Sequence, residues 1–281
     1  MKWLGILLVS FSLLHTAFEY RYVGARSDAM ANAYSGIAGG VEGVVFNPAG
    51  LALLNNLEIS AYYNYLYASL GSGLKGLALQ YGPLNVGGRK FAISVIRLGA
   101  DFDGADGGSY AENTFVITHG FRLADNIYGG FNFNLYCLQN PSNIGDAYTY
   151  GIDVGFLAAV YENWRIGILL HNINTPRLNA IIGVEELPAW ISAGVSFSGG
   201  KYSLTSVEFR EMQGYPMRIS IGEEVRIFPF ARLRAGVMSE GDLFRFTSGA
   251  GFYVGKFRLN YALWYIPDLP LTHTVSLEFI P

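Results

Sequence analysis

The chain reads as an all-β protein, a transmembrane antiparallel β-barrel of about fourteen strands. Three observations predict this. Apolar residues make up 51% of the 281 positions and charged residues 15%, against about 25% charge in soluble domains. Past residue 20 no apolar run reaches the ~18 residues of a membrane helix, so the apolar content is organised some other way. From residue 57 onward the dominant period is two, the spacing of a strand with one greasy and one polar face.

The elements follow in chain order. Met1-Lys2 and the apolar stretch 3–14 have the charged start and hydrophobic centre of a secretory signal, and cleavage is expected after Ala17. An uncleaved anchor helix is the alternative. The single cysteine, Cys137, makes no intramolecular disulfide, which removes the disulfide-framework class. A net charge of −3 argues against a nucleic-acid partner.

Residues 24–54 show neither strand alternation nor membrane length; they are small, flexible and rich in Ala and Gly. Within them Asn47-Pro48-Ala49-Gly50-Leu51 reads as a turn into a short helix, because proline suits a first helical turn and the residue before it avoids helical dihedrals.

Strands are expected at 57–68, 73–82, 89–98, 111–123, 126–138, 147–160 and 163–173, then at 187–198, 201–210, 215–227, 229–238, 242–254, 256–266 and 271–280. The clearest is Phe131-Asn132-Phe133-Asn134-Leu135-Tyr136-Cys137, apolar on one face and asparagine on the other. Most are long enough to cross a bilayer when tilted, which takes about 9–11 residues. Tight connections at 124–125, 162–163, 199–200, 228–229 and 255 fall on one side with both chain ends, and long connections at 99–110, 139–146 and 174–186 on the other. Outer-membrane barrels segregate periplasmic turns from external loops in this way. A soluble β-sandwich, the alternative, has no reason to. Tyr62, Tyr128, Tyr161, Trp164, Trp190 and Tyr215 lie near strand ends, where aromatic girdles are expected. Glycines would relieve crowding where a strand bends or where another segment packs close inside.

Two stretches carry a family resemblance. GARSDAMANAYSGIAGGVEGVVFNPAGLALL at 24–54 and GAGFYVGKFRLNYALWYIPDLPLTHTVSLEFIP at 249–281 resemble the FadL-like outer-membrane proteins, within them the PorV/PorQ group. The first matches a glycine-rich stretch leading to an Asn-Pro-Ala-Gly-Leu signature, the second the family's last strands. The resemblance implies a fourteen-stranded barrel with the N-terminal segment folded inward as a plug: signal peptide 1–17, plug 18–56, barrel 57–281. It implies passage of hydrophobic or amphipathic, fatty-acid-like small molecules across the bacterial outer membrane, gated by Asn47, Pro48, Ala49, Gly50 and Leu51. The rival is a PorV/PorQ-like component of type IX secretion that binds a cargo protein; a third is a structural barrel with a sealed lumen. Expected partners are outer-membrane lipid, the small molecule or secreted cargo, and the barrel-assembly machinery during biogenesis. Both termini are expected in the periplasm. The chain departs from the usual barrel ending, since Ile280-Pro281 follows Phe279.

Alternation puts Arg218, Arg232, Arg234, Arg245 and Arg258 on the lumen face, with Glu208, Glu223 and Glu278 as possible partners. Guanidinium groups suit the carboxylate of an amphipathic ligand; the competing reading is an internal salt-bridge network fixing barrel and plug. Asp101, Asp103 and Asp106 would suit calcium or, equally, a solvated acidic loop. His15, His119, His171 and His273 lack metal-ligand spacing. No catalytic or phosphate-binding pattern stands out, so no metal, cofactor or enzymatic activity is expected.

Overall fold

A computed structural model describes residues 17–19, 23–67, 74–101, 109–139, 145–180 and 183–281. Of the expected signal peptide only Ala17 falls among them; Asp103 and Asp106 lie outside the described residues, as does the Asp101 side chain. The strands are β1 (Glu58–Tyr65), β2 (Lys75–Val86), β3 (Arg89–Asp101), β4 (Ser109–Ala124), β5 (Ile127–Gln139), β6 (Ala147–Tyr161), β7 (Trp164–His171), β8 (Arg177–Ala180) and β9 (Gly183–Glu186). They continue with β10 (Trp190–Gly199), β11 (Ser203–Met212), β12 (Arg218–Phe228), β13 (Ala231–Glu240), β14 (Leu243–Val254), β15 (Phe257–Tyr265) and β16 (Thr272–Phe279).

Fourteen of these form one closed antiparallel sheet. Chain neighbours pair throughout, β7 pairs with β10, and β1 closes the ring against β16, from Ile59 opposite Phe279 to Tyr65 opposite His273. Closure leaves no sheet edge, so every strand has its backbone partners on both sides. Each of the fourteen expected strands is present. The departure is at 174–186, expected as a loop, where β8 and β9 form a separate hairpin.

One end of the barrel carries two- and three-residue turns at 87–88, 125–126, 162–163, 200–202, 229–230 and 255–256, together with the end of β16. We call it the turn end. Gly87 (φ 57°) and Gly88 (φ 78°) illustrate its chemistry, since a two-residue hairpin turn with both central residues at positive φ favours glycine. The opposite, loop end holds the longer connections, with the exception of the tight 241–242.

Side chains alternate across the wall. Leu77, Leu79, Ile93, Phe115, Ile117, Phe131, Phe133 and Leu135 are exposed on the outside, while Gln80, Ser94, Thr118, Asn132 and Asn134 are buried within. This inverts the soluble pattern of an apolar core under a polar surface, as a wall facing hydrocarbon requires. Tyr161 and Trp164 are exposed as girdle residues should be, but Tyr62 and Trp190 are buried; these two and Tyr128, packed against a buried cluster inside, point inward. Position near a strand end says nothing about face; parity does. No helix among the described residues is long and apolar enough to cross a membrane.

The N-terminal segment fills the lumen. It contains a short helix α1 (Ala25–Ala29) and two 3-10 turns, η1 (Val41–Val45) and η2 (Pro48–Leu53). Its Met30, Tyr34, Ile37, Val41 and Phe46 form one core with the inward Tyr62, Ile96, Val116 and Trp264.

Candidate functional site

The plug is seated by backbone contact. Where β4 and β5 meet, Gly120 faces Gly130; further round the barrel Gly167 faces Gly194, and nearly opposite Gly222 faces Gly236. These glycines all point inward, at the level of the plug. A methyl group on Gly130 would come 2.5 Å from the Pro48 carbonyl carbon, and one on Gly222 2.5 Å from the Met30 oxygen. On Gly167 it would overlap the Ser35 carbonyl. Bare wall backbone is thus what lets the plug backbone approach.

Asn47-Pro48-Ala49-Gly50-Leu51 lies in this seat, against Gly120, Gly130 and Gly155 of the wall. The Asn47 side chain accepts from the Ala49 amide at 3.1 Å and so caps η2. Its Nδ2 donates to the Ser35 and Phe156 carbonyls at 3.0 and 2.9 Å, tying two plug turns to β6. Gly50 packs against Ala38 so closely that a side chain would clash, and Leu51 is fully buried. Beyond η2, Lys90 donates to the Ala52 and Leu54 carbonyls at 2.8 and 2.7 Å, closing the turn's open C-terminal end. The turn-to-helix expectation is met, as a 3-10 turn.

Charges complete the seating. Glu208 accepts from the Tyr34 and Ser35 amides at 3.0 and 2.8 Å. Asp28 of α1 accepts from the Thr274 hydroxyl at 2.9 Å and the Tyr62 hydroxyl at 3.3 Å. Burial pushes the Asp28 carboxyl up from 3.8 to about 7, against the lowering pull of Thr274 and Arg245. Burial likewise lifts Glu42 to about 8.

All five expected arginines face the lumen, but the structure divides them between its ends. Toward the turn end, Arg232 and Arg234 contact Glu224 at 2.8 and 2.6 Å, and Arg26 of the plug binds the same carboxylate through two nitrogens at 2.8 and 3.0 Å. Arg258 lies 3.5 Å from Glu278 nearby. Toward the loop end, Arg218 pairs with Glu240 at 2.8 Å, and Arg245 lies 4.3 Å over the Trp264 ring. Glu223, an expected partner, points outward and bonds Thr205. The residue that collects the arginines is Glu224. Parity would have found it, since Glu224 lies six positions from Arg218 and shares its face, whereas Glu223 does not.

Above the plug a cavity of about 20 Å³, room for about one water molecule, is lined by Glu19, Phe46, Trp190, Arg210, Arg218, Arg245 and Trp264, among others. Sequence reading missed Arg210, which lies 4.9 Å over the Trp190 ring. It also missed the buried pair of His171 Nδ1 and Asp153 Oδ1, 2.5 Å apart, with Asn132 and Asn134 donating to the other Asp153 oxygen. Arg245 is buried, and its Nε has no hydrogen-bond partner among the described residues. No group of three potential metal ligands occurs among those residues.

No family model and no curated protein matches the chain. Solved structures do. The P. putida toluene transporter TodX superposes with a TM-score of 0.66 at 12% identity, over 93% of this chain and 98% of that one. A Pseudomonas aeruginosa FadL homologue gives a TM-score of 0.66 at 11% identity, over 94% of this chain and 100% of that one. At these identities the likeness is one of fold: a closed barrel of the FadL type.

Proposed function

We propose that the chain is an outer-membrane channel for hydrophobic or amphipathic small molecules, entered at the loop end and opened by movement of residues 24–54. The asymmetry of short turns and long loops supports an external loop end and a periplasmic C-terminus; the expectation that both termini are periplasmic does not fit Phe18, whose backbone nitrogen bonds Glu112 near the loop end. The similar structures are a toluene transporter and a FadL homologue, which supports an apolar cargo.

The observation that carries the reading is Arg245, a buried guanidinium whose Nε has no hydrogen-bond partner among the described residues, stacked on Trp264 at the edge of a cavity that the plug closes from below. An indole face with a cation beside it suits a molecule with an apolar body and an anionic head. Arg218, on the same cavity, is the second contact. Arg232, Arg234 and Arg258 serve instead to hold the plug and the turn end of the wall. Arg245 also acts electrostatically on Asp28 of α1. Above pH ~7, where Asp28 is ionised, an anion bound at Arg245 would weaken that attraction and loosen the segment that blocks the path.

The test is uptake by liposomes carrying the full chain. Arg245→Ala is expected to reduce uptake of a medium-chain carboxylate about tenfold, the effect of losing ~1.4 kcal/mol of binding, and that of a neutral aromatic less than twofold. Equal effects on both compounds would remove Arg245 from the site. Wild-type liposomes that take up neither would overturn the channel reading.

A further inference from the structure

The Glu112 carboxylate, on the inner face of β4 near the loop end, is not used by the plug seat or the cavity. One oxygen accepts from the Tyr110 hydroxyl at 2.6 Å, and the other from the Phe18 backbone nitrogen at 2.9 Å. Among the described residues no lysine, arginine or histidine forms an ion pair with it. The neighbouring charges that act on it, Glu19 and Glu185, have its own sign. A carboxylate drawn back from water, with like charges around it, calls for a cation.

Phe18 itself is held on a second side. Its ring meets Tyr136 with centroids 4.9 Å apart and is buried with Leu138, Ala147, Leu178 and Leu187. Leu178 lies in β8 and Leu187 follows β9, so the hairpin absent from the sequence reading supplies one wall of this pocket. An acid at a residue's own nitrogen, beside an aromatic slot for its side chain, suits a protonated free N-terminus, because a charge-assisted hydrogen bond is stronger than a neutral one. The residue before Phe18 is Ala17, whose small side chain suits the position immediately before a signal-peptidase cut, while His15 two positions earlier departs from the small residue favoured there.

We infer that the chain is cleaved between Ala17 and Phe18, and that Glu112 binds the α-ammonium group which this cleavage creates. Hydrolysis of the Ala17–Phe18 peptide bond adds one water, leaving a carboxylate on the released leader and an amine on Phe18. Protonated, that amine places a positive charge and three donors where the uncut chain offers one neutral N–H. The cation that Glu112 lacks among the described residues is made by processing, and the mature N-terminus is pinned at the loop end of the lumen. This rests on the export reading proposed above.

The full-length gene would be expressed in a bacterial host with an outer membrane, and the protein extracted and characterised by intact mass and N-terminal sequencing. Phe18 is expected as the first residue. A mature chain beginning elsewhere overturns the inference and leaves the barrel reading intact; a chain that keeps Met1 and never reaches the outer membrane overturns the export reading as well. The pH profile of α-amine acylation in the folded protein supplies the second readout. Ion pairing is expected to raise the amine pKa at least one unit above its usual ~8, with at least tenfold faster acylation at neutral pH in Glu112→Gln. An unshifted amine in the wild-type protein overturns the assignment without need of the variant.

Discussion

Asp28 is where a single proton bears on the plug. Its carboxyl is buried in α1 and titrates at about 7 when docked, against an ordinary 3.8 in water. The docked plug therefore holds a proton that the released segment gives up between those values. Docking is strongest below pH ~4, weakens by up to ~1.4 kcal/mol per pH unit up to about 7, and is level above that. Glu42, raised to about 8, acts in the same direction and extends the window. Channel opening recorded in planar bilayers should be more frequent at pH 8 than at pH 5, with a shallower dependence in Asp28→Asn. Identical opening at both values in the wild-type protein would show that proton release does not loosen the plug. None of this was legible in the sequence. Asp28 stands in a run of small residues whose period matches no element, and the hydroxyl it accepts from belongs to Thr274, far away in the chain.

At the level of the elements, the plug and the inner wall fit through the glycines of facing strands. A β-strand loses little by exchanging an inward glycine for alanine unless something occupies the space, and here Ser35 does. Gly167→Ala should therefore displace the plug near Ser35 and raise basal ion conductance. The cold, unboiled band of a folded barrel on SDS gels should persist. Gly99, outward on β3 with its nearest contact at 3.4 Å, is the control, and Gly99→Ala should leave conductance unchanged. Leakage from both variants would mean that the barrel itself, and not its fit to the plug, is disturbed. The strands were readable because a wall between lipid and lumen forces strict alternation, as along Phe131 to Cys137. The hairpin of β8 and β9 was not, because four-residue strands among Gly, Pro and Asn have too short a period to register. Trp190 was mistaken for a girdle residue because aromatics serve both faces. For the site, five arginines were placed on the correct face, while Glu224, the carboxylate partner of Arg232 and Arg234, was missed by one position.

Over the whole molecule, wall and plug stand in different relations to closure. The barrel exists only if β1 and β16 pair, and their register involves no plug residue. Deleting β16 with residues 271–281 would leave β1 and β15 each with an unpaired edge, and unpaired backbone groups cannot be placed in hydrocarbon without costing several kcal/mol each. Failure is expected to be complete: no heat-modifiable band and no insertion into bilayers. Deleting residues 24–54 removes a core that includes Met30, Tyr34 and Phe46 but breaks no strand pairing. The wall's inner groups that faced the plug, such as Glu208 and Asn132, would then meet water, where polar groups need no other partner. That variant is expected to keep its heat-modifiable band, melt at lower temperature, and conduct as an open pore. A plugless chain that failed to close would mean that the plug templates the wall during assembly. The glycines of the inner face would then be a mould for folding as well as a seat for a gate.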